Sequence, residues 1–276
     1  MTQPLVLPAP AKLNLFLHIT GRRDDGYHTL QTLFQLLDWG DTLSFTANRS
    51  GRIRLSGDGC GVADEDNLIT RAARLLAQSD LGADIIVQKR IPAGGGLGGG
   101  SSNAATTLLA LNHLWSLGHS THHLALLGTQ LGADVPVFVR GRSAWAEGIG
   151  ELLTPVKLPP AWYLIVAPDC HVATGEIFSH PQLTRHSPPI KMATFFDGDS
   201  RNDCQPLVRK LYPEVDRVLN SLEKLGEARL TGTGACAFVS FTSEAEAQAG
   251  RQQLPRQWNC MVAQGVDASP VTTALE

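Results

Sequence analysis

"IPAGGGLGGGSSNAATTLLALN", Ile91 to Asn112, places six glycines in the seven positions from Gly94 to Gly100, then two serines and a run of helix formers. Glycine loses more conformational freedom on folding than any other residue, so such a run is costly. Upstream, "ADIIVQKRI" (83–91) reads as a strand; downstream, a helix is predicted from about Asn103 to Leu117. A helix start carries unpaired N–H groups and partial positive charge, and glycines before it let several N–H groups converge on one anion. Ser101 and Ser102 can cap that helix or donate hydroxyls to phosphate oxygens. No Asp or Glu occurs between Asp84 and Asp134, where composition would put roughly four or five.

Other readings of the loop are weaker. A Walker loop requires a lysine that the stretch from Gly94 to Asn112 lacks. Gly94, Gly96 and Gly99 satisfy G-x-G-x-x-G, but the acid that a dinucleotide site wants about 20 residues later is missing. A flexible linker is disfavoured because the loop joins two well-patterned elements.

Working outward, "KLNLFLHIT" (12–20) alternates Leu13, Leu15, Leu17 and Ile19 with Lys12, Asn14, Phe16 and His18, a strand with one mixed polar face. "RIRLSG" is a further strand, and "DNLITRAARLLAQ" is a helix capped by Asp66 or Asn67. "HHLALLGTQLG" is a helix, and "SAWAEGIGELLTPV" makes two short strands around Gly148 to Gly150. "TPVKLPP" (154–160), with three prolines, is the linker candidate. Beyond it, "AWYLIVAPD" is a strand, "PEVDRVLNSLEKLG" a helix begun by Pro213, and "ARLTGTGACAFVSF" a strand, turn and strand. "SEAEAQAGRQQL" is a helix and "WNCMVAQGV" a final strand, whereas His180 to Asp203 reads as loop. The expected class is α+β, a sheet packed against helices in two layers.

At 276 residues the chain allows one large or two ordinary domains, and 43% hydrophobic with 18% charged residues is globular composition. A formal charge of −3 argues against nucleic-acid binding. Cys60, Cys170, Cys204, Cys236 and Cys260 contain no C-x-x-C pair, so reduced thiols are expected rather than a zinc site or disulfide framework. With no signal-peptide pattern and no run of spanning length, a cytoplasmic protein without membrane association is expected.

Pro92 to Ser102 resembles the ATP loop of the GHMP kinases, the galactokinase, homoserine, mevalonate and phosphomevalonate kinases. "PAKLNLFL" resembles that family's first motif, and "LTGTGACAF" (230–238) its third. The nearest likeness is to members acting on a diphosphocytidyl sugar alcohol, through "KLNLFLHITGRRDDGYHTLQTLF", "DNLITRAA", "KRIPAGGGLGGGSSNAA", "LGADVPVFV" and "NDCQPLV". The resemblance implies an ATP-dependent small-molecule kinase of two domains, 1–155 binding ATP and 156–276 contributing to the substrate site, with the active site in the cleft between them. ATP is the implied co-substrate, with Mg²⁺ accompanying it. Ser101 is the candidate Mg²⁺ ligand; no dedicated metal site is expected. The expected assembly is a monomer or weak homodimer. The alternatives are a homoserine- or mevalonate-type kinase of the same family, or a non-catalytic nucleotide-binding module.

Phosphoryl transfer to an alcohol needs an oriented hydroxyl, a proton acceptor and positive charge around the moving group. Asp134, in "GADVPVF", precedes Val135, which Pro136 biases to extended geometry. Read alone it is a cleft-edge carboxylate or a turn-forming Asp; the resemblance implies a general base. Lys12 reads as a surface lysine or as a cation near Asp134 that stabilises developing alkoxide, and the resemblance implies the second. Asn14, on the same face, would bond the substrate.

Tyr27 and His28 pair an aromatic face with an imidazole, which suits a nucleobase, although loop aromatics often only pack. The resemblance implies that this pair holds cytosine, with Phe178 as the opposite stacking face and Thr174 as a substrate-contacting hydroxyl. It gives Pro92, Ala93, Gly94, Gly95, Gly96, Leu97, Gly98, Gly99, Gly100, Ser101 and Ser102 to ATP, with Asn67, Leu68 and Lys89 around the adenine. Asn67 could equally be only a helix cap. Gly232 and Gly234 would admit the substrate diphosphate, or simply form a tight turn. His119, His122 and His123 read as an exposed loop rather than a metal site.

Overall fold

A computed structural model of the chain describes residues 3–58, 63, 66–196, 198 and 201–275. It opens with two long strands, β1 (Leu5–Arg22) and β2 (His28–Asn48), paired antiparallel from Leu5↔Phe45 to Arg22↔His28. Then follow β3 (Ile53–Gly57), α1 (Leu68–Leu76), β4 (Gly82–Gln88), α2 (Gly99–Leu114), α3 (Thr121–Thr129) and α4 (Val135–Arg140). The hairpin β5 (Ala144–Glu147) and β6 (Leu152–Pro155) leads to β7 (Trp162–Ala167), α5 (Thr174–Ser179), α6 (Met192–Phe196), α7 (Gln205–Leu211) and α8 (Pro213–Leu222). The chain finishes with β8 (Arg229–Leu230), β9 (Ala237–Phe241), α9 (Glu244–Gln252), β10 (Asn259–Val266) and α10 (Pro270–Leu275).

One mixed sheet runs through the molecule in the order β3-β4-β2-β10-β7-β9-β8, with β1 and β5 branching from β2 and β6 pairing with β5. The join is β10, which pairs β7 from Asn259↔Ala167 to Gln264↔Trp162 and then β2 at Gly265↔Leu37 and Val266↔Leu36. Phe45, Ile85, Leu108, Leu111 and Phe138 fill the core between the first strands and α1–α4. Leu164, Val166, Leu219, Leu222 and Val239 fill a second core under α7 and α8. A third, around Phe16, Leu33, Trp145, Ile165 and Phe238, welds the two halves. The C-terminal helix α10 returns to the first core through Val271.

Most expected elements are present, capped as their residues dictate: Asn67 Oδ1 accepts from Ile69 N before α1, and Ser243 accepts from Glu246 N before α9. Five readings change. The helix after the glycine loop starts at Gly99, not Asn103, so the last two glycines form its first turn. Its N-cap is Gly98 in the left-handed conformation, and neither Ser101 nor Ser102 caps it. Val135 opens α4 and is not extended; Asp134 before it is itself near-helical at φ −84°, ψ −11°, and proline is tolerated in a first helical turn.

The simple alternation of β1 also fails. Register shifts between Pro10 and Lys12, Asn14 and Leu17, and Ile19 and Gly21 re-aim its side chains, so that both faces are buried. Finally, the described residues between His180 and Asp203 include the short helix α6 and a parallel bridge from Asn202 to Leu17.

Cys170, Cys204, Cys236 and Cys260 are free thiols; Cys60 lies outside the described residues. Burial pushes the thiols of Cys204 and Cys236 up to about 12. Among the described residues, no helix is long and apolar enough to cross a membrane.

Candidate active site

A cleft of about 1000 Å³ opens over the glycine loop and is walled by β1, β2, the loop before α4 and the turn between β8 and β9. The loop is made of glycine because it is squeezed. At Gly96, with φ +73°, a Cβ would lie 2.1 Å from Thr231 O. Gly98 (φ +74°) is pressed less tightly: a Cβ there would meet the Phe138 ring at 2.8 Å. Backbone bonds stitch the loop to both halves: Lys12 N donates to Leu97 O (3.0 Å), Ala235 N to Gly94 O (3.1 Å) and Cys236 N to Gly95 O (3.2 Å). The free N–H groups at the start of α2 therefore have a fixed position at the cleft floor.

Asp41, absent from the sequence reading, anchors the base of this loop. Its buried carboxylate accepts from Arg90 N (2.6 Å) and Ile91 N (2.8 Å) and pairs with the Lys89 ammonium. Sequence alone does not single it out, because Asp38 in the same strand is exposed; only the fold shows which acid is buried and must be paired.

Lys12 reaches into the cleft from the first register shift of β1 and is 2% exposed. Its Nζ donates to Asn14 Oδ1 (2.5 Å) and Gly96 O (2.9 Å), stands 3.3 Å from Asp134 Oδ2 and lies 5.4 Å from the centre of the Phe34 ring. Asp134, at the N-terminus of α4, remains a third exposed toward the cleft. Asn14 is held in turn: its Nδ2 donates to Thr32 Oγ1 (2.9 Å), and its backbone N donates to Thr231 Oγ1 (3.0 Å). A buried cation thus orients a carboxylate whose open side faces the cleft, an arrangement able to take a proton from an alcohol.

At one end stand Tyr27, 61% exposed on the rim, and His28, which is buried with its ring 5.2 Å from that of Phe178. Arg185 Nε donates to His28 Nε2 (3.1 Å). Burial, then the positive charges of Arg185 and Arg22, hold the imidazole below its usual pKa. Thr174 and Thr233 share a 3.0 Å hydroxyl contact at this end, and Gly232, φ +57°, packs against Gly96. At the other end Asn67, Leu68 and Lys89 line the cleft, although Asn67 Oδ1 is already engaged as the cap of α1.

Two residues expected at the site are not in its lining. Ser102 is fully buried, and Gly234 lies under the turn, its N–H donating to Thr231 O (2.9 Å). His122 and His123 lie in the first turn of α3 rather than in a loop, and His119 bonds Asn112 with its ring tilted against that of His123, away from the cleft. Among the described residues, no group of three or more His, Cys, Asp or Glu is placed to hold a metal.

The profile described as GHMP kinases N terminal domain matches residues 67–142, and that described as GHMP kinases C terminal matches 184–260. A 4-diphosphocytidyl-2-C-methyl-D-erythritol kinase of Pseudomonas aeruginosa (strain LESB58) is 58% identical over 279 residues, covering 100% of this chain and 99% of its own. One of the same name from Pseudomonas syringae pv. syringae (strain B728a) is 55% identical over 278 residues, covering 100% and 99%. A crystal structure of a 4-(cytidine 5'-diphospho)-2C-methyl-D-erythritol kinase superposes with TM-score 0.81 at 33% identity, over 95% of this chain and 99% of that one. The Methanococcus jannaschii mevalonate kinase shares the fold, with TM-score 0.69 at 16% identity over 95% and 98%.

Proposed function

Since the chain belongs to the GHMP kinase family, we propose that it transfers the terminal phosphoryl group of ATP to the 2-hydroxyl of 4-diphosphocytidyl-2-C-methyl-D-erythritol, giving the 2-phosphate and ADP. The reaction belongs to non-mevalonate isoprenoid precursor synthesis. The observation that carries the reading is the Lys12–Asp134 pair, 3.3 Å apart, set beside a glycine cradle in one cleft.

In this reading Asp134 takes the hydroxyl proton as the substrate oxygen forms its bond to the γ-phosphorus and the bond to the β,γ-bridging oxygen breaks. Lys12 holds the carboxylate and stabilises charge on the oxygens of the transfer. The loop from Pro92 to Ser101 and the start of α2 cradle the phosphates of ATP, with Asn67, Leu68 and Lys89 around its adenine. Tyr27, His28 and Phe178 receive the cytosine; Asn14, Thr174 and Gly232 face the rest of the substrate. This favours the cytidyl substrate over homoserine or mevalonate, which have no base to fill that end.

Mg²⁺ typically takes one or two protein oxygens and completes its shell with water and phosphate. Ser101 fits that demand: a Cβ at Gly132 would lie 3.6 Å from its Oγ, so the hydroxyl faces the segment leading to Asp134. The bound ion would neutralise charge on the β- and γ-phosphate oxygens. The remaining parts of the proposal are a division at 155/156, action as a monomer or weak homodimer, and a cytoplasmic setting that suits free thiols.

The deciding experiment is ADP release by the purified protein with ATP, Mg²⁺ and each of the cytidyl alcohol, homoserine and mevalonate. Turnover with the cytidyl alcohol alone supports the proposal; preference for either other acceptor rejects it.

A further inference from the structure

His28 enters the cleft from the first residue of β2, and its ring is gripped from behind by Arg185, whose Nε donates to His28 Nε2 at 3.1 Å. The guanidinium is itself fixed, since it also donates to Phe178 O (2.9 Å), His180 O (2.7 Å) and Leu183 O (3.3 Å). A guanidinium has donors only and does not lose its proton, so the imidazole nitrogen facing it must be the bare acceptor. The single ring proton then sits on Nδ1. That atom has no hydrogen-bond partner among the described residues, is not sealed from solvent, and belongs to a residue that lines the cleft.

Building on the reading of the cleft as a cytidyl site, we propose that Arg185 is a positioning residue that fixes His28 as its Nδ1–H tautomer. The cleft thereby presents one N–H donor to a pyrimidine and selects cytosine against uracil. Cytosine offers a bare N3 acceptor; uracil carries N3–H there, and two donors face each other. Such a mismatch leaves a polar group unpaired. The same guanidinium holds the carbonyl of Phe178, so one side chain sets both the donor and the aromatic ring beside it.

The test uses the full-length chain labelled with ¹⁵N, with CMP and UMP as probes, in the wild type and in Arg185→Met and Arg185→Lys. Two-bond ¹H–¹⁵N correlation of His28 at pH 7.5 is expected to show the Nδ1–H tautomer before any nucleotide is added. CMP should bind about tenfold or more tightly than UMP, the scale of one unpaired buried polar group. Arg185→Met should mix the tautomers and weaken CMP about tenfold with ATP affinity unchanged, and Arg185→Lys should restore part of the loss. A wild-type His28 carrying its proton on Nε2, or equal affinity for CMP and UMP, overturns the inference while leaving a kinase that still turns over the cytidyl alcohol. Absence of both CMP binding and turnover would instead bring down the functional reading with it. The wild-type spectrum decides the tautomer even if a variant fails to fold.

Discussion

Replacing Lys12 by methionine keeps the reach of the side chain and its packing against Phe34 while deleting the charge. At 3.3 Å and an effective dielectric of about 20, the ammonium and the Asp134 carboxylate interact by about 5 kcal/mol, most of it already present before reaction. Only the part that grows in the transition state affects kcat. Loss of one preorganised donor beside developing charge typically costs a factor of about 10² to 10³. Lys12→Met is therefore predicted to lower kcat and kcat/KM together by that factor, with KM for ATP and for the cytidyl alcohol within about threefold. Stability should change little, because Gly96 O keeps the Thr231 hydroxyl (3.1 Å) and Asn14 keeps its bond to Thr32. The assay is initial-rate ADP release over both substrates, with a thermal melt alongside. A raised KM at unchanged kcat would refute the reasoning and make Lys12 a binding residue. A collapse of the melt would make it structural.

Asp134→Asn should reduce turnover by at least about 10³-fold while ATP and substrate affinities, measured by calorimetry, stay within a few-fold; near-normal turnover removes the base assignment. Gly96→Ala places a methyl 2.1 Å from Thr231 O at φ +73°. It should cost about 1–3 kcal/mol in urea unfolding and weaken ATP binding, and an unchanged unfolding midpoint would contradict the squeeze. Asp41→Ala strips Arg90 N, Ile91 N and Lys89 of their acceptor. Raised KM for ATP and a loss of about 3 kcal/mol are expected, and wild-type behaviour in both would show that the loop does not depend on it. Tyr27→Ala should weaken the cytidyl substrate selectively, so an equal loss of ATP affinity counts against its place at the base end.

How much of the site could be read in advance depended on how far apart in the chain its parts lie. The glycine run, Asn67 before α1, Pro213 opening α8 and the hairpin around Gly148 to Gly150 all announce themselves within a few residues. Lys12 and Asp134 stand out only through resemblance to the family motifs, because their 3.3 Å contact depends on a register shift in β1 and on a proline-containing first turn of α4. Val135 departs from the extended geometry that Pro136 favours because a bias from one neighbour yields to packing in the first core.

Local sequence is enough for a strand, a glycine loop and a helix, together with an alternation of sheet and helix segments, because capping, periodicity and glycine conformation act over a turn or less. Tertiary structure alone decided what those parts face. Asp41 meets Lys89 and the following amides, Arg185 meets His28 and β10 joins β7 to β2 only once distant segments have packed. Ser102 turns inward and Ser101 toward the cleft because a helix sends neighbouring side chains about 100° apart, and the core of α1–α4 settles which of them is covered.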